Sequence, residues 1–170
     1  MKEKIISFLK KYDEIPRILL KVLAFVLLIY ITFSFIIGVT VMSSEDMQPN
    51  VKLRDVVVYS RIDKDYAVRT AVVYEVNGNT LVGRVVALPG SHVTIDENGN
   101  VTVDNILIQE NDIYLPTAQE GYSTDITLGA DEYFILADNR QVGVDSRYIG
   151  PVHSGDIKGE SLIVIRRYGI

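Results

Sequence analysis

The stretch Ser43-Ser44-Glu45-Asp46-Met47-Gln48-Pro49 leaves an apolar segment, turns at a proline and leads into the strand-like run DVVVYSR, residues 55–61. It carries two hydroxyls and a carboxylate, and both groups can hydrolyse a peptide bond in the right company. A serine attacks a carbonyl when an adjacent base takes its proton, and an aspartate activates water best as one of two that share a proton. The company is missing here. Direct attack by Asp46 on an amide would form a mixed anhydride and expel a poor amine leaving group. Asp55 stands nine residues on, past the expected strand start. Arg84 stays protonated at any working pH. Lys52 and Lys64 fall in loop-like or strand-edge positions and are expected to be solvated. A second group of chemical residues, Asp138, Asn139, Arg140, Asp145, Ser146 and Arg147, lies within ADNRQVGVDSRYIGPV, residues 137–152. Its expected role is structural, with Asp138, Asp145 and Arg147 joined by charge-assisted hydrogen bonds that fix a loop.

Composition narrows the chemistry further. The 170 residues contain no cysteine and two histidines, His92 and His153, in unrelated contexts. Disulfides, thiol nucleophiles and thiolate metal sites are excluded, and a histidine-rich metal site is not expected. No cofactor is called for. The net charge of −5 divides unevenly, with +3 over residues 1–42 and −8 beyond them. An acidic globular part without a basic cluster argues against nucleic-acid binding.

Residues 22–42, VLAFVLLIYITFSFIIGVTVM, carry no charge. A helix of that length spans a hydrocarbon core, so the sequence predicts an uncleaved transmembrane anchor over 22–42. Basic residues precede the run, and Glu45 and Asp46 follow it. The positive-inside rule then puts residues 1–21 in the cytoplasm and residues 43–170 outside the cell membrane. Residues 3–21 are amphipathic as far as Pro16. They suit either a helix along the inner membrane surface or an ordinary cytoplasmic lead-in.

Beyond residue 42, short runs rich in Val, Ile, Tyr and Thr predict strands at 55–61, 69–76, 81–88, 92–96, 101–108, 132–137 and 161–168. Asn77-Gly78, Pro89-Gly90 and Asn98-Gly99 mark turns between them, and residues 94–105 read as a hairpin. The expected fold class is all-β, antiparallel and barrel-like, on the N-terminal membrane helix.

Three stretches together carry a resemblance: SEDMQPNVKLRDVVVY (44–59), LVGRVVALPGSHVTI (81–95) and ADNRQVGVDSRYIGPV (137–152). In this order, behind one anchor, they resemble type I signal peptidases, and the resemblance runs from the anchor to the C-terminus. The third is the most specific, with Asp138, Asn139, Arg140, Asp145, Ser146, Arg147, Gly150 and Val152 all matching. In that family a serine attacks and a buried lysine is its base, the lysine being held by a second serine. The nucleophile precedes the Met of an M-x-P, which here is Met47, so its position is Asp46. The lysine precedes the Arg of the second motif, here Arg84, so its position is Gly83. The positioning serine falls three residues after the Arg of D-N-R, at Gly143. Ser44 matches a position whose hydroxyl helps bind the oxyanion. The frame around these positions, including Pro49, Asp55, Leu88, Pro89 and Gly90, is kept.

The resemblance therefore implies family shape without family chemistry. It is nearest to signal-peptidase-like proteins encoded beside pilus genes of Gram-positive cocci. That likeness implies pilin or other secreted surface subunits as partners, with a sortase alongside. Three readings stay open on the sequence: a non-catalytic assembly factor or chaperone, an active signal peptidase with a relocated mechanism, and a decoy that binds signal peptides or a true peptidase.

Overall fold

The computed structural model describes residues 2–108 and 125–166, with side chains from residue 14 onward. The chain divides into two compact units, one ending at Ile36 and one starting at Ile37.

The first unit is helical. Helix α1 runs Lys2–Ile31 with Pro16 inside it, and a π-helical turn, Thr32–Ile36, ends it. Within this unit Glu14–Ile36, 23 residues, are long and apolar enough to cross a membrane, about 35 Å at the helical rise. Residues 37–42, expected in that helix, are not helical. Ile37–Val41 form strand β1, and Met42 packs in a hydrophobic cluster of the second unit. The apolar run is unbroken from residue 22, so hydropathy does not show where a helical repeat gives way to a strand repeat. Gly38 makes the change possible, because any β-carbon there would collide with the Tyr59 ring.

The second unit holds all eleven strands among the described residues. Nine of them are β2 (Val56–Ser60), β3 (Ala71–Val76), β4 (Asn79–Ala87), β5 (His92–Ile95), β6 (Val101–Val103), β7 (Ile106–Leu107), β8 (Asp125–Thr127), β9 (Glu132–Leu136) and β10 (Val152–His153). The last, β11, is Ile157–Ile165, and one short helix, α2 (Ser146–Ile149), follows β9. All pairings are antiparallel. Seven strands form one sheet in the order β1-β2-β11-β3-β4-β9-β10, and four form another in the order β7-β6-β5-β8. The all-β antiparallel class holds. Among the described residues the larger sheet ends in strands β1 and β10.

Turn chemistry sets the registers. Asn77 and Gly78 both take positive φ, 52° and 77°, as a type I′ turn requires, and they lock β3 against β4 with Val72 opposite Gly83. The run 101–108, expected as one strand, is two. Asp104 and Asn105 adopt φ of 52° and 65°, a second tight turn that folds β7 back on β6. The predicted 94–105 hairpin is β5 paired with β6, with Thr94 opposite Thr102.

Strand β3 is buried on both faces. Val72 and Tyr74 pack with Val85, Tyr133, Ile135 and Ile157, whereas Val73 packs with Met42, Met47, Val51, Val57 and Val82. The second cluster matters most for function. It seats the loop between β1 and β2, which carries Ser44 and Asp46, by burying Met47 completely. Burying such a side chain contributes about 1.5–3 kcal/mol.

Candidate functional site

Asp46 sits on this loop and is 7% exposed. Its main-chain oxygen accepts from Asn139 N at 2.7 Å, and Asn139 Nδ2 donates to the Glu45 carbonyl at 3.3 Å. Asn50 Nδ2 reaches across to Asp138 at 2.8 Å. The loop is thus tied to the segment after β9 at three points and pinned beneath by Met47. Burial pushes the Asp46 carboxyl above the usual carboxylate range, with the charge of Asp145 adding to the rise. A hydrogen bond from the Ser44 hydroxyl acts in the opposite direction. Ser44 therefore spends its hydroxyl on the aspartate. Among the described residues no lysine or histidine bonds to either side chain. Lys64 donates to the Ile157 carbonyl. His92 pairs with Asp125 and His153 with Asp131, both in exposed positions on other strands.

Gly83 lies in β4 directly opposite Val72, and its surroundings are full. A β-carbon there would stand 2.5 Å from Ile135 Cγ2 and 3.1 Å from the Tyr74 ring. The Ile135 γ-methyl is fixed close to its own backbone, so it cannot swing aside as a long flexible side chain would. Tyr74 fills the remaining space. Its hydroxyl proton is held far more tightly than usual, first by burial and then by the negative charges of Asp145 and Asp46. Gly143 is equally closed. A β-carbon there would collide with the Ala137 β-carbon and stand 2.9 Å from the Asn139 carbonyl. Gly143 N donates to that same carbonyl at 3.0 Å. Asp46, Gly83 and Gly143 are thus brought to one place, linked through Asn139 and through Tyr74.

The residues of the third stretch build its wall. Asp145 caps α2. It accepts from Arg147 N at 3.1 Å and from Arg147 Nε at 2.9 Å, and its second oxygen accepts from Ala137 N at 3.0 Å and the Arg147 guanidinium at 3.0 Å. Both side chains are fully buried. Arg147 also donates to the Arg140 and Gly143 carbonyls. Arg140 donates to the Ala137 carbonyl at 2.6 Å. Ser146 Oγ accepts from Ile135 N at 3.0 Å, which holds β9 against α2. Asp138 does not join this network as expected. Its carboxylate takes a two-point contact from Arg84, 2.8 Å from Nε and 2.6 Å from Nη2, together with Asn50. The reason is register: Arg84 follows Gly83, points to the opposite face of β4 and lies across from Leu136, two residues before Asp138. Asp55 is buried on its own, accepting from Lys52 N, with Arg166 3.5 Å away.

Sequence reasoning missed Tyr74, Ile135 and Ala137 as the residues that fill the site. The Asn77-Gly78 turn was the available signal. A two-residue turn fixes which β3 residues flank Gly83, and the large one on that face is Tyr74. Nothing in the described residues gathers three or more His, Asp or Glu side chains that would hold a metal ion.

The family model for signal peptidase, peptidase S26, matches residues 15–166. The probable signal peptidase I-2 of Synechocystis is 28% identical over 141 residues, covering 76% of this chain and 63% of that protein. The chain thus matches less than two thirds of that relative's length. A crystal structure of a signal peptidase I from Enterococcus faecalis superimposes with a TM-score of 0.48 at 22% identity, over 56% of this chain and 96% of that one. With most of its length matched by the family model, the chain belongs to the signal peptidase S26 family.

Proposed function

We propose that this chain is a membrane-anchored member of its family that binds secreted polypeptides without cutting them. In this reading it acts as an assembly factor for surface subunits such as pilins, with a sortase as the enzyme that later joins them. The observation that carries it is the state of the site. The positions implied for nucleophile, base and positioning serine hold Asp46, Gly83 and Gly143, and the room above both glycines is occupied by Ile135, Tyr74, Ala137 and main chain. Among the described residues no lysine or histidine bonds to the Ser44 hydroxyl, which is engaged by the Asp46 carboxyl instead. Losing chemistry does not remove ground-state recognition. An extended peptide can still gain affinity by adding to a sheet edge, with side-chain pockets supplying selectivity. The apolar helix Glu14–Ile36 serves as the anchor, holding the β unit outside the cell membrane.

Photo-crosslinking in the producing cells tests this reading. With a photoreactive side chain in place of Gln48, beside Asp46, the full chain is expected to capture secreted subunits that retain their full length. Capture of subunits only after shortening at a signal-peptide junction, or of none, would contradict it.

A further inference from the structure

A cavity of about 590 Å³ lies where the β2–β3 loop, the β4–β5 turn, the start of β9 and the β10–β11 turn meet. Lys64, Asp65, Pro89, Ala130, Asp131 and Tyr133 line it, together with the β10–β11 turn. Strand β9 separates Asp131 from Asn139, the residue that bonds the Asp46 loop, and its five residues span about 16 Å. The cavity is therefore distinct from the site around Asp46. Its size is that of a ligand pocket.

Two kinds of wall decide what it can hold. Pro89, Ala130 and Tyr133 supply apolar surface, and Asp65 and Asp131 supply carboxylates. The surroundings are negative as well. Asp63 shares a loop with Asp65, Glu132 follows Asp131, and Asp156 ends the turn that lines the cavity. Two basic groups stand against these five carboxylates. The Lys64 ammonium donates to the Ile157 carbonyl at 3.4 Å, and His153 Nδ1 lies 3.2 Å from Asp131. Asp65 makes no hydrogen bond or ion pair among the described residues.

The negative field reaches inward. The Tyr66 ring stands edge-on to Tyr133, with centroids 5.6 Å apart. Burial first, then Tyr133, Asp63 and Glu160, pushes the Tyr66 hydroxyl up to about 12. That hydroxyl is buried without a hydrogen-bond partner among the described residues. The carboxylates are too dispersed to chelate, since no three His, Asp or Glu side chains among the described residues gather to hold a metal ion. Apolar walls that end in carboxylates suit a long side chain that ends in a cation. Lysine and arginine lay their methylene stems on apolar surface and keep the charged head among polar partners.

We propose that this cavity binds a lysine or arginine side chain displayed on a partner polypeptide, its stem on Pro89, Ala130 and Tyr133 and its head between Asp65 and Asp131. The site gives the β unit a point of recognition that does not depend on the Asp46 loop.

The chain has no cysteine, so Ala130→Cys places a single thiol in the cavity wall. In the detergent-solubilised full-length protein this thiol is modified with neutral methyl methanethiosulfonate. The reaction is run alone and with Nα-acetyl-lysine amide, Nα-acetyl-arginine amide or Nα-acetyl-norleucine amide, the last having an apolar stem without the charge. The lysine and arginine probes are expected to slow modification several-fold, and the norleucine probe to leave it unchanged. Asp65→Asn, at an exposed position, is expected to abolish the protection at an unchanged melting temperature. Lys64→Met removes the competing cation and is expected to strengthen it. A control thiol at Ile106→Cys, exposed on the small sheet, is expected to react at one rate whatever is added. Absence of protection by both charged probes would overturn the proposal. So would equal protection by norleucine, protection that survives Asp65→Asn, or equal protection of the control thiol.

Discussion

At Asp46 a carboxylate has been taken out of water with one hydroxyl, from Ser44, in support. Its proton is therefore held in the folded protein over a pH range in which the unfolded chain, with an ordinary value near 3.8, has already lost it. The folded state binds more protons there, so stability falls as pH rises from the ordinary value through the raised one, and the deficit persists above it. Asp46→Asn keeps the acceptor for Ser44 and removes the buried charge. Its melting temperature is expected to exceed that of the wild type at neutral pH, with the gap closing in acid. Calorimetry across pH checks the sign. The two glycines make the complementary statement. Gly143→Ala must displace either the Ala137 β-carbon or a carbonyl, so it is expected to cost about 1–3 kcal/mol in denaturant titrations. The identities at positions 46, 83 and 143 were legible from motif spacing. The closing of the space above the glycines was not, because it depends on Tyr74, Ile135 and Ala137 arriving from other strands.

The elements that hold the site are stabilised by a few buried polar contacts. The Asp145–Arg147 pair is enclosed, with both carboxylate oxygens satisfied and the guanidinium shared with two carbonyls. Arg147→Ala strands a buried carboxylate and is expected to cost about 3–5 kcal/mol. Arg147→Lys should recover only part of this, since an ammonium cannot reproduce the planar fork. Ser146→Ala leaves the buried Ile135 N–H without its acceptor and should cost about 1–3 kcal/mol, measured by the same unfolding titration. Most long strands were legible, because alternation and Gly-containing turns bracket them. What escaped were β8 and β10, too short to show a period, β1, hidden in a continuous apolar run, and the Asp104-Asn105 turn, which lacks glycine. The expected Asp138–Arg147 association failed for a different reason. Sequence proximity favoured it, but sheet register delivered Arg84 first.

Across the whole molecule, the family match runs over residues 15–166, and within it the space above Gly83 and Gly143 is filled. Under the proposed function each part has a use without catalysis: the apolar helix would fix the chain to a membrane, the tied loop would present Asp46, and the sheet edges would accept an extended segment. The central claim is that this assembly binds and does not cut. The most direct test incubates the detergent-solubilised full-length protein with a pre-protein carrying an A-x-A signal, beside an active signal peptidase. The account predicts that the active enzyme shortens the pre-protein and that this chain, shown to be folded, leaves it intact. Cleavage by the wild-type chain that disappears in Ser44→Ala or Asp46→Ala would contradict the account and place working chemistry in the loop after β1.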